Sequence, residues 1–463
     1  MLEVQTSQNH GNVLDYVFGI VLGEFLGLEW RHETADVDSI RIRLAGHPSE
    51  IRMPNVFFGH SETQWLSEST LPSQPLAYWD TRDMSLDILS VNPVVPVIYG
   101  QVEPSACVQD HCVDLPIDIF GSAFFMLTRY EESVLPDRDN HDRFLTKVSL
   151  AFKEGFLNRP IIDEYVEILW TAMQRLWPQL KRKSRKRVLR VTCDVDSPYQ
   201  VDYSPYAMTH GLAADLLKRK SPHIALSNLQ TRWRARIGNF TGDQHIENID
   251  WMMDVNEQAG NRVAFYFITD HTHPQYDPNY RMDEPVIRKL LRRIHDRGHE
   301  IGLHPSYNTY LSPEQTMREA NILRSTLEDE GITYNELGGR QHYLRWHNTQ
   351  TARNLEAAGI AYDSTLCYAE CPGFRCGTSR EFTMYDIGER RPMALKQRPL
   401  VLMETSVFAD NYLGLGYTAD TLDQMLNLKQ HALSVGGEFV LLWHNSSFDE
   451  SAAKTFYCDL IKH

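Results

Sequence analysis

The side chains of this chain that could do chemistry stand at the ends of short apolar runs. The run 188–193 closes on Asp194-Val195-Asp196. Two carboxylates at i and i+2 repel each other unless a cation or proton lies between them, although an isolated pair also caps helices and shapes turns. The run 300–303 closes on His304. A neutral imidazole beside a carboxylate suits zinc and similar divalent ions, whereas a solitary histidine is more often only hydrogen-bonded. Asp196 and His304, on two different strand ends, together favour a metal site. The segment 338–347 carries Arg340, His342, Tyr343, Arg345 and His347. That mixture suits a sugar or an anion, because aromatic rings stack on the apolar face of a sugar and arginine forks grip acidic groups. Asp363-Ser364-Thr365 ends a further run. The run 439–443 ends at His444, an imidazole able to act as a general acid if it faces the same mouth.

These groups need a frame to bring them together. Strand-like runs begin near Val188, Val263, Glu300, Leu337, Ile360, Leu400 and Glu438. Helices separate them. Ser312-Pro313-Glu314-Gln315 offers an N-cap, a proline at the first helical position and a capping-box partner, and Gly331 stops that helix. Asp283-Glu284-Pro285 opens another, with Val286, Ile287, Leu290, Leu291 and Ile294 on one face and Gly298 at its end. A third, over residues 418–435, stops at Gly436-Gly437. About seven such alternations predict a parallel α/β sheet or barrel, with its chemistry at the C-terminal ends of the strands. The N-terminal part is aromatic-rich, with strand-like pieces at 40–44 and 94–99 and helices predicted over 119–132 and 161–176, and reads as a smaller α+β domain. A basic run, 181–190, divides the two parts, predicting domains of residues 1–186 and 187–463. Such a run reads as a solvated linker or as a contact for an anionic surface or phosphorylated carrier.

Composition narrows the class. At about 150 residues per domain, 463 residues allow two to four domains. Lys plus Arg number 46 against 61 Asp plus Glu, and the resulting net charge of −15 argues against a dedicated nucleic-acid binder. Seven thinly spread cysteines argue against a disulfide scaffold and for a reducing compartment. No run has the 18 or so apolar residues of a membrane-spanning helix. The most apolar early stretch, 13–28, contains Asp15 and Glu24 and reads as a buried amphipathic helix, not a secretory leader, so the expected location is cytoplasmic.

Taken in order, residues 186–463 resemble the polysaccharide deacetylases with a NodB-type domain. Thr192-Cys193-Asp194-Val195-Asp196 matches the D-x-D form of the first family motif, which implies Asp194 as catalytic base and Asp196 as metal ligand. Gly298-His299-Glu300-Ile301-Gly302-Leu303-His304 matches the lead-in to the second motif, H-[ST]-x-x-H, and makes His304 a ligand. The chain then departs from the family, because Asn308 stands where the second metal histidine belongs. The arginine that orients the base falls on Arg340, with His342 in place of a usual proline. Leu441-Leu442-Trp443-His444 matches the last motif and makes His444 the general acid.

The resemblance implies a distorted (β/α)7-type barrel and metal-assisted hydrolysis of an acetyl group, N-acetyl ahead of O-acetyl, on a sugar or surface-polysaccharide precursor. The implied cofactor is a divalent metal, zinc first, with cobalt, nickel or manganese as alternatives. Its site is expected to contain Asp196 and His304, completed by His342, by His271 or His273, or weakly by Asn308 and waters. Tyr343, Arg345, Asp363, Arg375 and Trp443 form the expected substrate-binding set. An anionic nucleotide- or lipid-linked sugar is a candidate partner, consistent with the basic residues Lys218, Arg219, Lys220, Arg232, Arg234 and Arg236. The alternative is a catalytically impaired carbohydrate-binding or scaffolding protein of polysaccharide biosynthesis. The N-terminal part, through residues 124–132, Arg143-Phe144 and Asp163-Glu164-Tyr165, resembles an uncharacterised domain that precedes such deacetylase domains in bacterial surface-polysaccharide clusters. Segments 362–365 and 373–377 look like features of the same subgroup. Cys367, Cys371 and Cys376, with His347 upstream, lack the paired C-x2-C spacing of a structural zinc site.

Overall fold

A computed structural model describes residues 1–7, 10–84, 92–101, 107–109, 111–200 and 242–462. The basic residues between Lys218 and Arg236 lie outside the described residues. The N-terminal strands are β1 (Leu2–Thr6), β2 (Trp30–Thr34), β3 (Ser39–Leu44), β4 (Glu50–Pro54), β5 (Ala77–Asp80), β6 (Val94–Val97), β7 (Cys107–Gln109) and β8 (Cys112–Asp114). Six of them form a mixed sheet in the order β2-β1-β3-β4-β8-β7, and β5 and β6 form a separate antiparallel pair. Strand β1 alternates buried and half-buried residues, as a sheet with one covered face requires. The helix Ile161–Leu176 runs over the predicted span and packs on β4 and β8. The helix expected over 119–132 is broken. It stops at Leu127 and resumes over Tyr130–Val134, because Arg129 adopts a left-handed φ of 52°.

The second sheet follows the basic run. Its strands are β9 (Val188–Val195), β10 (Val263–Phe267), β11 (Glu300–Leu303), β12 (Gly338–Gly339), β13 (Tyr362–Asp363), β14 (Phe382–Asp386), β15 (Arg391–Gln397), β16 (Leu402–Met403) and β17 (Glu438–Leu442), in the order β14-β15-β13-β12-β11-β10-β9-β17-β16. All neighbours pair parallel except β14 with β15. Every residue of β10 is buried, as expected of a strand covered on both faces. Each of the seven anticipated runs contributes a strand. The hairpin β14–β15 is additional, so among the described residues the sheet has nine strands, with β14 at one end of its hydrogen-bonded ladder and β16 at the other. Glycine makes room inside it. A Cβ on Gly338 would fall 1.9 Å from Cζ of the buried Tyr362 ring. The helix Pro313–Asp329 starts as read, with the Ser312 hydroxyl accepting from Gln315 N at 3.3 Å. Among the described residues, no helix is long and apolar enough to cross a membrane.

The parts before and after the basic run share one apolar core. Charged groups also join them. The buried Glu132 carboxylate accepts from Arg375 at 2.6 and 2.8 Å and from Arg129 Nε at 2.8 Å. Asp163 accepts from Thr378 Oγ1 at 2.6 Å and Ser379 N at 2.8 Å. Burial alone would raise the Glu132 carboxyl, but Arg375 and Arg129 outweigh it and bring its pKa down to about 2.

Candidate metal centre and its cavity

Asp196, His304 and His342 converge just beyond the C-terminal ends of β9, β11 and β12, and their nearest ligand atoms all lie within 4.8 Å of one another. Asp196 Oδ1 is 3.3 Å from His304 Nε2 and 3.7 Å from His342 Nε2. This oxygen is buried and has no hydrogen-bond partner. The other face of each imidazole is occupied. His304 Nδ1 bonds the Arg340 carbonyl, and His342 Nδ1 lies 2.9 Å from Asp277 Oδ1. A carbonyl or carboxylate only accepts, so both Nδ1 atoms carry a proton, and each ring turns its Nε2, the atom that would ligate a metal, toward Asp196. One carboxylate and two imidazoles, with an orphaned buried oxygen between them, fit a divalent metal. Burial pushes the Asp196 carboxyl up, but His342, His304 and His444 hold it well below the usual carboxylate range. Burial likewise lowers His304, and Asp194 and Asp196 overcome it to raise its pKa.

Two further groups flank the cluster. Asp194 Oδ1 accepts from Arg340 Nη1 at 2.8 Å, and its Oδ2 is 3.7 Å from His304 Nε2. Arg340 is fully buried and anchored on Ser364 O, Ser364 Oγ and Thr192 Oγ1 at 2.8 to 2.9 Å. His444, just past β17, has Nε2 3.7 Å from Asp196 Oδ2 and Nδ1 2.6 Å from Glu404 Oε1. Burial favours its neutral form, but the Glu404 charge, then those of Asp196 and Asp194, push its pKa up to about 10. Asp194, Asp196, His304, His342 and His444 line a cavity of about 330 Å³, whose wall also includes Arg143, Tyr343, Thr405, Tyr412, Ser446 and Ser447.

Residues 2–178 match the model of a family of unknown function (DUF7033). No curated protein matches the chain. Among solved structures, the chain is similar to a protein from Mycobacterium smegmatis assigned as a polysaccharide deacetylase, with a TM-score of 0.36 and 16% identity over 60% of this chain and 85% of that one. It is also similar to Puue allantoinase, with a TM-score of 0.35 and 12% identity over 60% and 83% of the two chains.

Several anticipated site residues lie elsewhere. Asn308 is exposed and outside the cluster; its Nδ2 donates to Thr272 O at 3.0 Å and its Oδ1 accepts from Arg345 Nη1 at 3.2 Å. Arg345 is clamped between the rings of Tyr307 and Tyr310, 4.0 and 3.9 Å from their centres, and braces the His141 and Tyr307 carbonyls. Asp363 is buried against Thr365, and desolvation pushes its pKa up to about 6. Arg375 is committed to Glu132, and Trp443 is packed in the core against Phe448. None of these five lines the cavity, whereas Tyr343 does. His271 is exposed and His273 stacks on Tyr276 at 4.4 Å, so neither joins the cluster. Cys367 and Cys376 are buried free thiols, and no metal-type cluster includes them among the described residues.

Sequence reasoning missed the residues that hold the imidazoles. Glu404 follows β16 directly, so the strand-end rule applied to Leu402-Met403 would have found it. Asp277, in the loop after β10, carried no local signal. Arg143 comes from the N-terminal part, where its guanidinium pairs with Asp139 at 2.6 Å and donates to the Tyr343 carbonyl at 3.1 Å. That contact steadies strained backbone, because Tyr343 and Leu344 are consecutive left-handed residues with φ of 61° and 54°.

Proposed function

We propose that the chain is a metal-dependent deacetylase, hydrolysing an acetyl group on a sugar or surface-polysaccharide precursor within a barrel-type α/β domain. The observation that supports this most is one cavity holding three things: a carboxylate–imidazole cluster, a carboxylate pinned at 2.8 Å by a buried arginine, and an imidazolium kept charged by a buried glutamate. Asp196, His304 and His342 would hold a divalent ion, with zinc suited to the donor set. Such an ion supplies Lewis acidity that polarises an acyl carbonyl. Asp194 Oδ2 takes a proton from the attacking water while Arg340 pins Oδ1 and disfavours any other orientation. His444 delivers the proton on Nε2 to the leaving group as the C–N bond breaks, and Glu404 retains the Nδ1 proton. A group held protonated at neutral pH suits an amine leaving group, which favours N-acetyl over O-acetyl substrates. Water is consumed, and acetate and a free amine are released.

The test is acetate release from acetylated nucleotide sugars and glycans by zinc-loaded protein, with zinc content measured in parallel. Asp194→Asn is expected to abolish turnover while zinc stays bound. Turnover surviving that substitution would refute Asp194 as the base. Zinc below about a tenth of an equivalent after loading would refute the metal-dependent reading as a whole.

A further inference from the structure

The basic run 181–190 has no part in this reaction, yet it is folded around a second cavity. Arg182, Lys183, Arg185 and Arg187 line a space of about 300 Å³ together with Arg380 and Glu167. Five cations therefore face one carboxylate. Glu167 is already shared, lying 2.7 Å from Arg182 Nη1 and 3.2 Å from Arg380 Nη2. Arg185 spends two donors on main-chain carbonyls, Phe25 O at 3.0 Å and Glu24 O at 2.7 Å. Arg380 is 1% exposed, and its Nε and Nη1 make no hydrogen bond; Nε sits 3.3 Å from Asp163 Oδ1 without donor geometry. Buried guanidinium N–H groups left unmatched are costly, and an acceptor-rich ligand removes that cost. Burial, reinforced by the charge of Arg380, also lowers the Arg185 pKa to about 10, more than the nearby charges of Asp163, Glu438 and Glu24 offset.

We infer that this cavity is a binding site for a phosphate group, separate from the reaction cavity. Arginine forks arriving from two separate segments, the basic run and Arg380, match an oxyanion with three or four acceptor oxygens better than a planar carboxylate. The net charge of −15 repels polyanions from the protein as a whole, so binding would report this local reversal of sign. The cavity lies where β9 and β17 begin, next to Arg187 and Gly436, whereas Asp194 and Asp196 stand where β9 ends. Eight residues at about 3.3 Å each separate the two sites by roughly 26 Å, too far for one small substrate to touch both. A phosphate here would tie Arg182 and Arg185 of the basic run to Arg380, cross-linking the two parts of the chain. The group could belong to a soluble phosphate ester or to a lipid headgroup.

The experiment is calorimetric titration of inorganic pyrophosphate into the chelated full-length protein at fixed ionic strength, so that no metal in the reaction cavity contributes. Saturable binding with a Kd of about 100 µM or tighter is expected. Arg185→Gln and the exposed Arg187→Gln should each weaken it by at least about fivefold while circular dichroism stays unchanged. Sedimentation with phosphatidic acid vesicles, against phosphatidylcholine vesicles, separates the sources. Co-sedimentation competed by pyrophosphate supports the site with a lipid headgroup, and pyrophosphate binding without co-sedimentation supports it with a soluble ester. Absence of saturable pyrophosphate binding, or equal affinity in both variants, overturns the inference.

Discussion

Replacing Asp277 by asparagine tests whether the candidate metal site depends on a carboxylate outside its three proposed ligands. Asp277 Oδ1 accepts from His342 Nδ1 at 2.9 Å and Tyr307 N at 2.8 Å. Its Oδ2 accepts from Thr272 N and His273 N, both at 2.8 Å, and from Thr272 Oγ1 at 3.0 Å. An amide serves only one side. With its oxygen at the Oδ1 position, the new NH2 faces two backbone N–H groups and leaves them unmatched, at about 1–3 kcal/mol of stability each. With its oxygen at the Oδ2 position, the NH2 donates to His342 Nδ1, the ring keeps its proton on Nε2, and that atom no longer ligates. The second orientation satisfies both of those N–H groups and is the one expected; it should weaken zinc binding by about 10–100-fold, the range found for such outer partners, or ~1.4–2.7 kcal/mol. Calorimetric titration of zinc into chelated protein, wild type against Asp277→Asn at one pH, measures this directly. Affinities within about threefold of each other would show that Asp277 does not set the His342 tautomer.

Other consequences are as direct. His304→Ala and His342→Ala should each remove most of the rise in Tm that zinc gives the wild type, and an undiminished rise would exclude the residue from the ligand set. Glu132, with its folded pKa depressed to about 2, contributes stability that is present above its unfolded value near 4.5 and lost as pH falls toward 2. Urea melts across that window should show a loss on the order of 3 kcal/mol, missing in Glu132→Gln, which should itself be about 3–5 kcal/mol less stable at pH 7 because Arg375 loses its buried partner. Gly338→Ala forces a Cβ into the Tyr362 ring and should cost about 1–3 kcal/mol in a thermal melt; an unchanged Tm would show that the ring moves freely.

Much of the frame was legible because it rests on local rules. Buried parallel strands read as apolar runs, and the cap at Ser312 and the proline at the first helical position, Pro285, mark where their helices start. The hairpin β14–β15 escaped because Arg391-Pro392-Met393-Ala394-Leu395-Lys396-Gln397 shows a buried face only at alternate positions and starts on an arginine and a proline. Asp196 and His304 stood out as ligand candidates because a parallel sheet delivers strand ends to one rim, where the structure brings their atoms to 3.3 Å. His342 was one of several histidines in reach. Asn308 looked relevant only by its spacing after His304, but its amide is consumed by Thr272 and Arg345.

The sequence by itself therefore determined a mixed α/β chain, where its strands begin and which polar residues stand at their ends, since periodicity and capping act over a few neighbouring residues. Tertiary structure decided which of those residues meet and in what protonation state. Asp277 selects the His342 tautomer from 65 positions away, Glu404 charges His444 from 40, and Arg143 supports Tyr343 from 200. Hydrogen bonds and charge pairs of that kind depend on distances of a few ångströms between remote segments, which the packing of the whole core sets and no local pattern records.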